Sequence, residues 1–339
     1  MGCVKLLLGY VITEEPGREE RRKKKGEGEI VTIGVIGAGN WGRNLVRTFA
    51  KLGQLSGIAE SDPAGRKELN KQFPGVPVFA EADTLMRTNV SALVIATPAP
   101  SHYAIAKAAL ILGKDVFVEK PLALSQLEAE ELVEIAEQKE RILMVGHLLL
   151  YQPAMQRIKN CLASGVIGKL ALLTQERLKL GRVRRTENAL WSLGIHDLAV
   201  LLNLVGEKPQ QVQVSGQCFL QREIEDDVYV HLQFSQGLQA HLHVAWLWPE
   251  QRRYLTIIGS EGMLTYDEIQ QKVILHKKKV LKDLQIKDDG SEVIYQGKEE
   301  PLLIECRHFL ECVAKRLKPR SDGRSALEVI KILECAGQK

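Results

Sequence analysis

The sequence has little of what marks several large classes of protein. Aromatic residues make up only 5% of the 339 residues and the net charge is +4, so no nucleic-acid partner is expected. None of the six cysteines forms a Cys-x-x-Cys pair, and no cysteine–histidine spacing is typical of zinc, so we expect reduced thiols, no metal and a cytoplasmic protein. No apolar run reaches the roughly 18 residues that span a bilayer, so no membrane segment is expected.

What remains is typical of a globular chain with about two domains, since 45% of the residues are hydrophobic and 26% are charged. Residues 1–29 differ from the rest, because a short apolar run precedes a stretch of mixed charge. A signal peptide has the opposite order. We therefore interpret residues 1–29 as a disordered or mis-started tail without chemistry, followed by domains at 30–149 and 150–339.

From Ile30 onward, short apolar runs alternate with stretches of helical spacing. The first run, residues 30–36, is rich in β-branched residues, and later runs end at Ala59, Ala96, Val118 and Val145. Strands that alternate with helices indicate βαβ units. Residues 30–149 are therefore predicted to form a doubly wound parallel sheet.

A Gly-x-Gly-x-x-Gly motif follows the first predicted strand and precedes a helix. In a dinucleotide-binding turn, Gly37 would permit the tight bend, Gly39 the approach of a pyrophosphate, and Gly42 close packing of helix on strand. The alternative is a glycine turn in an unrelated α/β protein. The predicted cofactor-binding turn comprises Gly37, Ala38, Gly39, Asn40, Trp41 and Gly42.

An acidic residue, Glu60, ends the second strand, 18 residues after Gly42. A carboxylate at this place accepts hydrogen bonds from the adenosine ribose hydroxyls and repels a 2′-phosphate. The motif thus favours NAD over NADP. Two basic residues, Arg66 and Lys67, lie just downstream, so NADP stays an alternative cofactor.

Two further segments, containing Thr97, Pro98 and His102 and then Glu119 and Lys120, follow later strands. In an open parallel sheet, ligands bind outside the carboxyl ends of the strands, so these segments and the glycine turn should face one crevice. We expect Lys120 to contact the alcohol being oxidised, with a pKa lowered by the cationic nicotinamide. The alternatives are a surface turn for Lys120 and a helix-start residue without ligand contact for His102.

Residues 37–42, 96–102 and above all 113–121, with Glu119-Lys120-Pro121, resemble the Gfo/Idh/MocA oxidoreductase family. The resemblance implies an N-terminal Rossmann domain and a C-terminal α/β domain with an open, mainly antiparallel sheet. It also places Lys120 near the nicotinamide. In this family the C-terminal sheet commonly pairs with another subunit, so a homo-oligomer, a dimer or tetramer, is expected.

The resemblance continues to the end of the chain, through residues 146–153, 168–169 and 191–197. The last two of these segments, with residues 305–310, most resemble the branch that acts on nucleotide-linked sugars. Members similar to this chain oxidise or reduce a sugar hydroxyl, often at C3.

The second half of the chain contains consecutive strand-like runs, which predict an antiparallel sheet. Amphipathic helices are expected at its end. The predicted strands are residues 170–179, 210–219, 228–234, 238–247, 254–258 and 263–266, and the predicted helices are 303–315 and 324–335.

His196 precedes apolar residues at helical spacing and is therefore predicted to begin a buried helix. A helix N-terminus disfavours the imidazolium, which suits a neutral general base that takes the hydroxyl proton. The family resemblance places the catalytic histidine here. Many members carry an Asp four residues earlier, where this chain has Ser192, and the adjacent Asp197 is a candidate substrate contact.

A basic segment with Arg182, Arg184 and Arg185 lies just before His196. Guanidinium groups fit the diphosphate or a carboxylate of a sugar nucleotide, and the alternative is a solvated loop. Tyr151 is a candidate for the substrate pocket or for the core. His241 and His243 are two residues apart, so they lie on one face of a predicted strand. With no third ligand nearby, we interpret them as a sheet surface rather than a metal site.

These residues predict an NAD-dependent oxidoreductase that moves a hydride between nicotinamide and a hydroxyl carbon of a nucleotide sugar. One alternative is a polyol dehydrogenase of the inositol type from the same family. The other is a cofactor-sensing regulator without catalysis. Regulators of this kind tend to lose the lysine or the histidine, and both Lys120 and His196 are present.

Overall fold

Two sheets organise the chain, of which the computed structural model describes residues 31–297 and 300–335. The predicted tail at residues 1–29 lies outside the described residues. From Val31 onward the described chain packs as one unit. Within it, no helix is long and apolar enough to cross a membrane.

The first sheet has six parallel strands with helices between them, as predicted. Its strands are β1 (Ile33–Ile36), β2 (Leu55–Ala59), β3 (Val78–Phe79), β4 (Ala92–Ile95), β5 (Asp115–Val118) and β6 (Leu143–Val145). The helices are α1 (Gly42–Lys51), α2 (Pro63–Gln72), α3 (Ala82–Met86), α4 (His102–Ile111) and α5 (Gln126–Gln138). The strand order is β3-β2-β1-β4-β5-β6. Every residue of β1, β4 and β5 is buried, because helices cover both faces.

The second sheet has eight strands that are antiparallel except for one parallel pair. They are β7 (Leu170–Leu178), β8 (Gln211–Gln217), β9 (Asp227–Gln233), β10 (Gln239–Ala245), β11 (Arg252–Gly259), β12 (Met263–Asp267), β13 (Lys272–Val280) and β14 (Ile286–Gln296). The order is β14-β13-β12-β11-β7-β10-β9-β8, with β7 and β10 parallel. The Rossmann-type sheet and the mainly antiparallel sheet confirm the predicted fold class.

Helices α6 (Pro153–Ala163) and α7 (Ile195–Val205) belong to the second half of the chain, and α8 (Pro301–Lys315) and α9 (Gly323–Cys335) follow its sheet. Both of the last two helices return to the first sheet. The rings of Phe309 on α8 and Phe117 on β5 lie 5.5 Å apart, and Asp322 forms a bridge with Met144 of β6. The predicted boundary near residue 150 lies between the sheets, but the end of the chain packs against the first one.

A buried ion-pair cluster fixes α7 to the second sheet. Arg177 on β7 donates to both carboxylate oxygens of Asp197 on α7, at 2.6 and 2.9 Å. The same guanidinium pairs with Glu268 at 2.6 Å, and Arg253 reaches Glu268 at 3.0 Å. The Asp197 carboxylate has no exposed surface. Because Asp197 stands in the first turn of α7, this cluster orients the start of that helix.

Replacing Arg177 by Leu should lower the free energy of unfolding by about 3–5 kcal/mol, because the buried Asp197 carboxylate loses its cation and Glu268 keeps Arg253 alone. Arg252→Leu is the control, since Arg252 pairs with Glu176 at the exposed surface and should cost about 0–1 kcal/mol. Denaturant titration followed by circular dichroism measures both. If both variants lose the same free energy of unfolding, the buried cluster does not hold α7.

Candidate active site

The loops that follow the parallel strands meet at one edge of the first sheet. Backbone hydrogen bonds of 2.8–2.9 Å join each strand end to its neighbour, from Gly37 N to Ala59 O, from Glu119 N to Ile95 O and from Gly146 N to Val118 O. The glycine turn and the loops after β4, β5 and β6 are therefore held side by side. This edge is where an open α/β sheet binds its ligand.

The glycine turn has the geometry that a dinucleotide requires. Gly37 has a φ of +89°, and a Cβ atom on Gly42 would lie 2.1 Å from the Gly37 carbonyl oxygen, so both positions need glycine. A Cβ on Gly39 would meet nothing within 4 Å, which leaves open space beside the backbone. Asn40 and Trp41 are exposed at the start of α1. The turn thus fits the phosphates of a nicotinamide cofactor at a helix N-terminus.

Glu60 lies directly against this turn. Its carboxylate accepts hydrogen bonds from the backbone N–H of Ala38 at 2.7 Å and of Asp62 at 2.9 Å. Arg66 donates to the carbonyl oxygens of Glu60 and Ser61, at 2.9 and 2.7 Å. The Glu60 carboxylate therefore stands where the adenosine ribose is expected, while Arg66 is engaged by backbone.

His102 joins the loops after β4 and β5. Its ring is 1% exposed, with Nδ1 at 2.7 Å from the Pro121 carbonyl oxygen and Nε2 at 2.8 Å from that of Thr97. Pro98 follows Thr97 and opens a short 3₁₀ turn. Both ring nitrogens of His102 are engaged by the protein. The side chain thus holds the two loops together.

Lys120 reaches across from the first sheet to the segment that precedes α7. Its Nζ donates to the Ser192 carbonyl oxygen at 3.2 Å. Burial lowers the pKa of Lys120, whereas the carboxylates of Glu187 and Glu119 oppose that shift. Ser192, four residues before His196, therefore contributes its backbone oxygen to this lysine.

Two imidazoles lie near enough to the Lys120 ammonium that its charge acts on both of them. The rings of His147 and His196 meet edge to face, with centroids 6.1 Å apart. Burial, and then the charge of Lys120, lowers the pKa of His147 to about 3 and that of His196 well below its ordinary value. Both rings are consequently neutral, and the structure brings Lys120 and His196 together.

Several ring nitrogens at this site point at no protein group. Nδ1 of His196 and both ring nitrogens of His147 are buried without a hydrogen-bond partner among the described residues. Buried polar atoms of this kind are normally satisfied by a ligand or water. Together with the open space at Gly39, they fit a site built for a nicotinamide and a polar substrate.

His147 and Glu187 were not singled out from the sequence. His147 lies just after β6, as Glu119 lies just after β5. Its position behind a predicted strand is the sequence feature that would have marked it as a site residue. Glu187 stands in the charged segment before α7, where Arg184 Nε lies 3.3 Å from its Oε1. Its carboxylate is near enough to Lys120 to oppose the loss of the ammonium charge.

Tyr151 and Asp197 do not face the edge. Tyr151 is 1% exposed, and its hydroxyl bonds the Ser321 hydroxyl at 2.8 Å inside the core. Both oxygens of Asp197 are occupied by Arg177. Neither side chain has surface to offer a substrate, which corrects their assignment as substrate contacts.

The basic segment divides into buried and exposed parts. Arg182 and Arg185 are exposed, and Arg184 is half-buried, with its carbonyl oxygen accepting from Gln221 Nε2 at 2.7 Å. The charge of Arg184 contributes to lowering the pKa of Lys120, so this loop begins close to the ammonium and extends to solvent.

The sheet histidines lie elsewhere. His241 Nδ1 lies 2.8 Å from His231 Nδ1, and His243 pairs with Asp227 at 3.0 Å on the same sheet. Among the described residues, no group of three or more His, Cys, Asp or Glu side chains is placed to hold a metal ion.

Comparison with known proteins agrees with this geometry. Residues 31–147 match the family model of the Gfo/Idh/MocA oxidoreductases with an NAD-binding Rossmann fold, and residues 155–265 match the C-terminal domain of the same family. The chain is 25% identical to UDP-N-acetylglucosamine 3-dehydrogenase of Acidithiobacillus ferrooxidans over 88% of its own length and 93% of that protein. A solved structure of that enzyme superposes with a TM-score of 0.80, covering 90% of this chain and 97% of the other.

Other relatives act on different alcohols. Inositol 2-dehydrogenase of Serratia proteamaculans is 30% identical over 54% of this chain and 57% of its own. Levoglucosan dehydrogenase in complex with NADH shares the fold, with a TM-score of 0.80 at 18% identity, covering 91% of this chain and 97% of that one. The matches to both halves of the chain lead to one conclusion: this protein belongs to the Gfo/Idh/MocA oxidoreductase family, with its NAD-binding Rossmann fold in the first half.

Proposed function

We propose that this oxidoreductase moves a hydride between NAD and a hydroxyl carbon of a nucleotide-linked sugar. The observation that carries the proposal is the placement of one ammonium, Lys120, beside two neutral imidazoles at the sheet edge next to the glycine turn. Hydride removal from an alcohol needs a base for the hydroxyl proton and a donor that holds the oxygen, and this site has both.

In the oxidative direction, the neutral imidazole of His196 takes the hydroxyl proton. Lys120, anchored on the Ser192 carbonyl oxygen, donates to the substrate oxygen and stabilises the negative charge that develops there. A bound nicotinamide supplies the acceptor for the hydride. His147 offers a further donor and acceptor to the substrate or the carboxamide, because neither of its ring nitrogens is used by the protein.

The loop that contains the basic segment supports a nucleotide-linked sugar as the substrate class. Arg182, Arg184 and Arg185 present guanidinium groups, whose paired N–H donors match phosphate oxygens. The similarity to a UDP-N-acetylglucosamine 3-dehydrogenase over nearly the whole chain supports a sugar nucleotide. The expected homo-oligomer stays a prediction.

A free polyol is the second candidate, because inositol 2-dehydrogenases reach 30% identity over about half of the chain. Incubating the protein with NAD and either UDP-N-acetylglucosamine or myo-inositol separates the two. We expect NADH absorbance with the sugar nucleotide. NADH formed with inositol alone would favour a polyol dehydrogenase. If no NADH forms with a broad panel of sugars and polyols, a cofactor sensor without catalysis is favoured.

Lys120→Met and His196→Gln should each lower kcat by about 100-fold or more, since general acid–base groups contribute that much. The dissociation constant of NADH, measured from its fluorescence, should change little in either variant. Lys318→Met serves as the control, because Lys318 is exposed and pairs with Asp322 at the surface. Near-normal turnover in either active-site variant would refute the role given to that residue.

Lys120→Met should also raise the pKa of His147 and His196, because it removes a positive charge that disfavours both imidazolium ions. Both rings would then begin to protonate at a higher pH. NMR titration of the imidazole C–H signals measures this, with assignment by His196→Gln. Unchanged titration in Lys120→Met would mean that the ammonium does not lie beside the imidazoles.

NAD should bind more tightly than NADP by about tenfold or more, because a 2′-phosphate against Glu60 costs at least about 1.4 kcal/mol. Glu60→Gln should narrow this difference. Glu81→Gln is the control, since Glu81 is exposed at the start of α3. Tighter binding of NADP to the unmodified protein, measured by fluorescence quenching, would overturn the role of Glu60.

A further inference from the structure

A cavity lies outside the candidate active site, between α7, the first turns of α9 and the segment that joins α8 to α9. Its volume is about 360 Å³. Lys120, His147 and His196 are not among the residues that line it. The chemistry described above therefore gives this space no role.

Most of the charged groups that line the cavity are already paired. The cations are Lys159, Lys208, Lys318 and Arg320, and the carboxylates are those of Glu207, Asp322 and Glu328. Asp322 pairs with Lys318 at 2.8 Å, and Glu328 pairs with Lys208 at 2.7 Å. Glu207 accepts from the backbone N–H and the hydroxyl of Ser235, at 2.9 and 2.8 Å. All three carboxylates are thus engaged, and two of the cations are left over.

The first of these cations, Arg320, is held in a fixed place. Its Nη1 donates to the Leu150 carbonyl oxygen at 3.1 Å, and its Cζ lies 5.2 Å from the centre of the Tyr151 ring. Its backbone N–H donates to His308 Nε2 at 3.0 Å. Nε and Nη2 donate to no described residue, so one side of an anchored guanidinium is available to a ligand.

The second of these cations is Lys159, on α6. Its side chain is half-buried, and among the described residues neither Lys159 nor Arg320 forms an ion pair with a carboxylate. Both line the same cavity, and the charge of Arg320 adds to burial in lowering the pKa of Lys159. Two positive charges in a partly buried place cost free energy unless an anion compensates them.

We propose that this cavity is a second ligand site, which binds the phosphoryl group of a small anion between Lys159 and Arg320. A phosphoryl group carries a charge of about −2 near neutral pH, which matches the two unpaired positive charges. The unused N–H groups of a guanidinium present paired donors to phosphate oxygens, and an ammonium adds a compact charge. Free phosphate and a phosphate ester share this chemistry.

The rest of the lining fits the organic part of a phosphate ester. Leu150, Leu202 and Pro319 supply apolar surface, and the side-chain amide of Asn203 makes no hydrogen bond with a described residue. Small-molecule sites combine apolar lining with a few polar groups in this way, at volumes of about 300–1,000 Å³. The site goes beyond the proposed function, since it needs neither NAD nor a sugar nucleotide.

Calorimetric titration with inorganic phosphate and with glucose 6-phosphate tests the site, with NADH at saturation so that the glycine turn is already filled. We expect the unmodified protein to bind, and Lys159→Met to bind about tenfold more weakly or worse, because a charge-assisted contact is lost. Tighter binding of glucose 6-phosphate identifies an ester as the occupant, whereas equal affinities identify free phosphate.

Lys208→Met is the matched control, because it removes one positive charge from the same cavity but takes it out of an ion pair. Glu328 keeps Lys331 at 3.3 Å in that variant. Affinity for phosphate should fall by no more than about threefold, since a distant exposed charge is screened. Equal weakening in Lys159→Met and Lys208→Met would mean a general effect of charge and would overturn the proposal.

Three further results would also overturn it. The first is that neither anion binds. The second is that binding occurs only without NADH, which would place the phosphate in the glycine turn. The third is that Arg185→Gln, in the basic loop, abolishes binding while Lys159→Met retains it.

A chemical measurement needs no variant. Saturating glucose 6-phosphate or phosphate should protect the Lys159 amine from acetylation by acetic anhydride, as followed by mass spectrometry. Lys51, exposed at the end of α1, is the internal reference and should react equally with and without the anion. Undiminished acetylation of Lys159 would overturn the proposal even if Lys159→Met does not fold.

Discussion

The site depends on one constraint, which is that the parallel strands of the first sheet end at the same edge. Because β1, β4, β5 and β6 run in one direction, the loops after them meet at a single edge, where backbone hydrogen bonds hold each against the next. The second half of the chain adds the segment that leads into α7, with Ser192 and His196, and the Arg177 cluster fixes that helix. An ammonium and an imidazole 76 residues apart in the chain thereby reach the same place.

Burial of the site decides the charge of each group in it. The two imidazoles stay neutral because burial and the charge of Lys120 both disfavour the imidazolium. The Lys120 ammonium is accompanied by carboxylates on both sides, Glu119 before it in the chain and Glu187 from the basic loop.

Local patterns predicted most of the fold and the part of the site that lies on strand ends. The glycine turn, Glu60 and Lys120 each follow an apolar run, and such a position is visible in the sequence. Side-chain burial is not visible in this way, because it depends on distant partners: Tyr151 bonds Ser321 and Asp197 bonds Arg177. Strands β13 and β14 were not predicted because they are rich in charged residues and are held by pairing, of β13 with β12 and of β14 with β13.

The return of the last two helices to the first sheet also bears on how the molecule is made. Asp322 closes the outer side of β6, Arg316 pairs with Asp115 at the start of β5, and Phe309 covers Phe117. A growing polypeptide that has emerged only to about residue 150 lacks all three. Its nucleotide-binding half would leave the ribosome with an unprotected strand and bare apolar surface, and would depend on the final stretch, or on a chaperone, for cover.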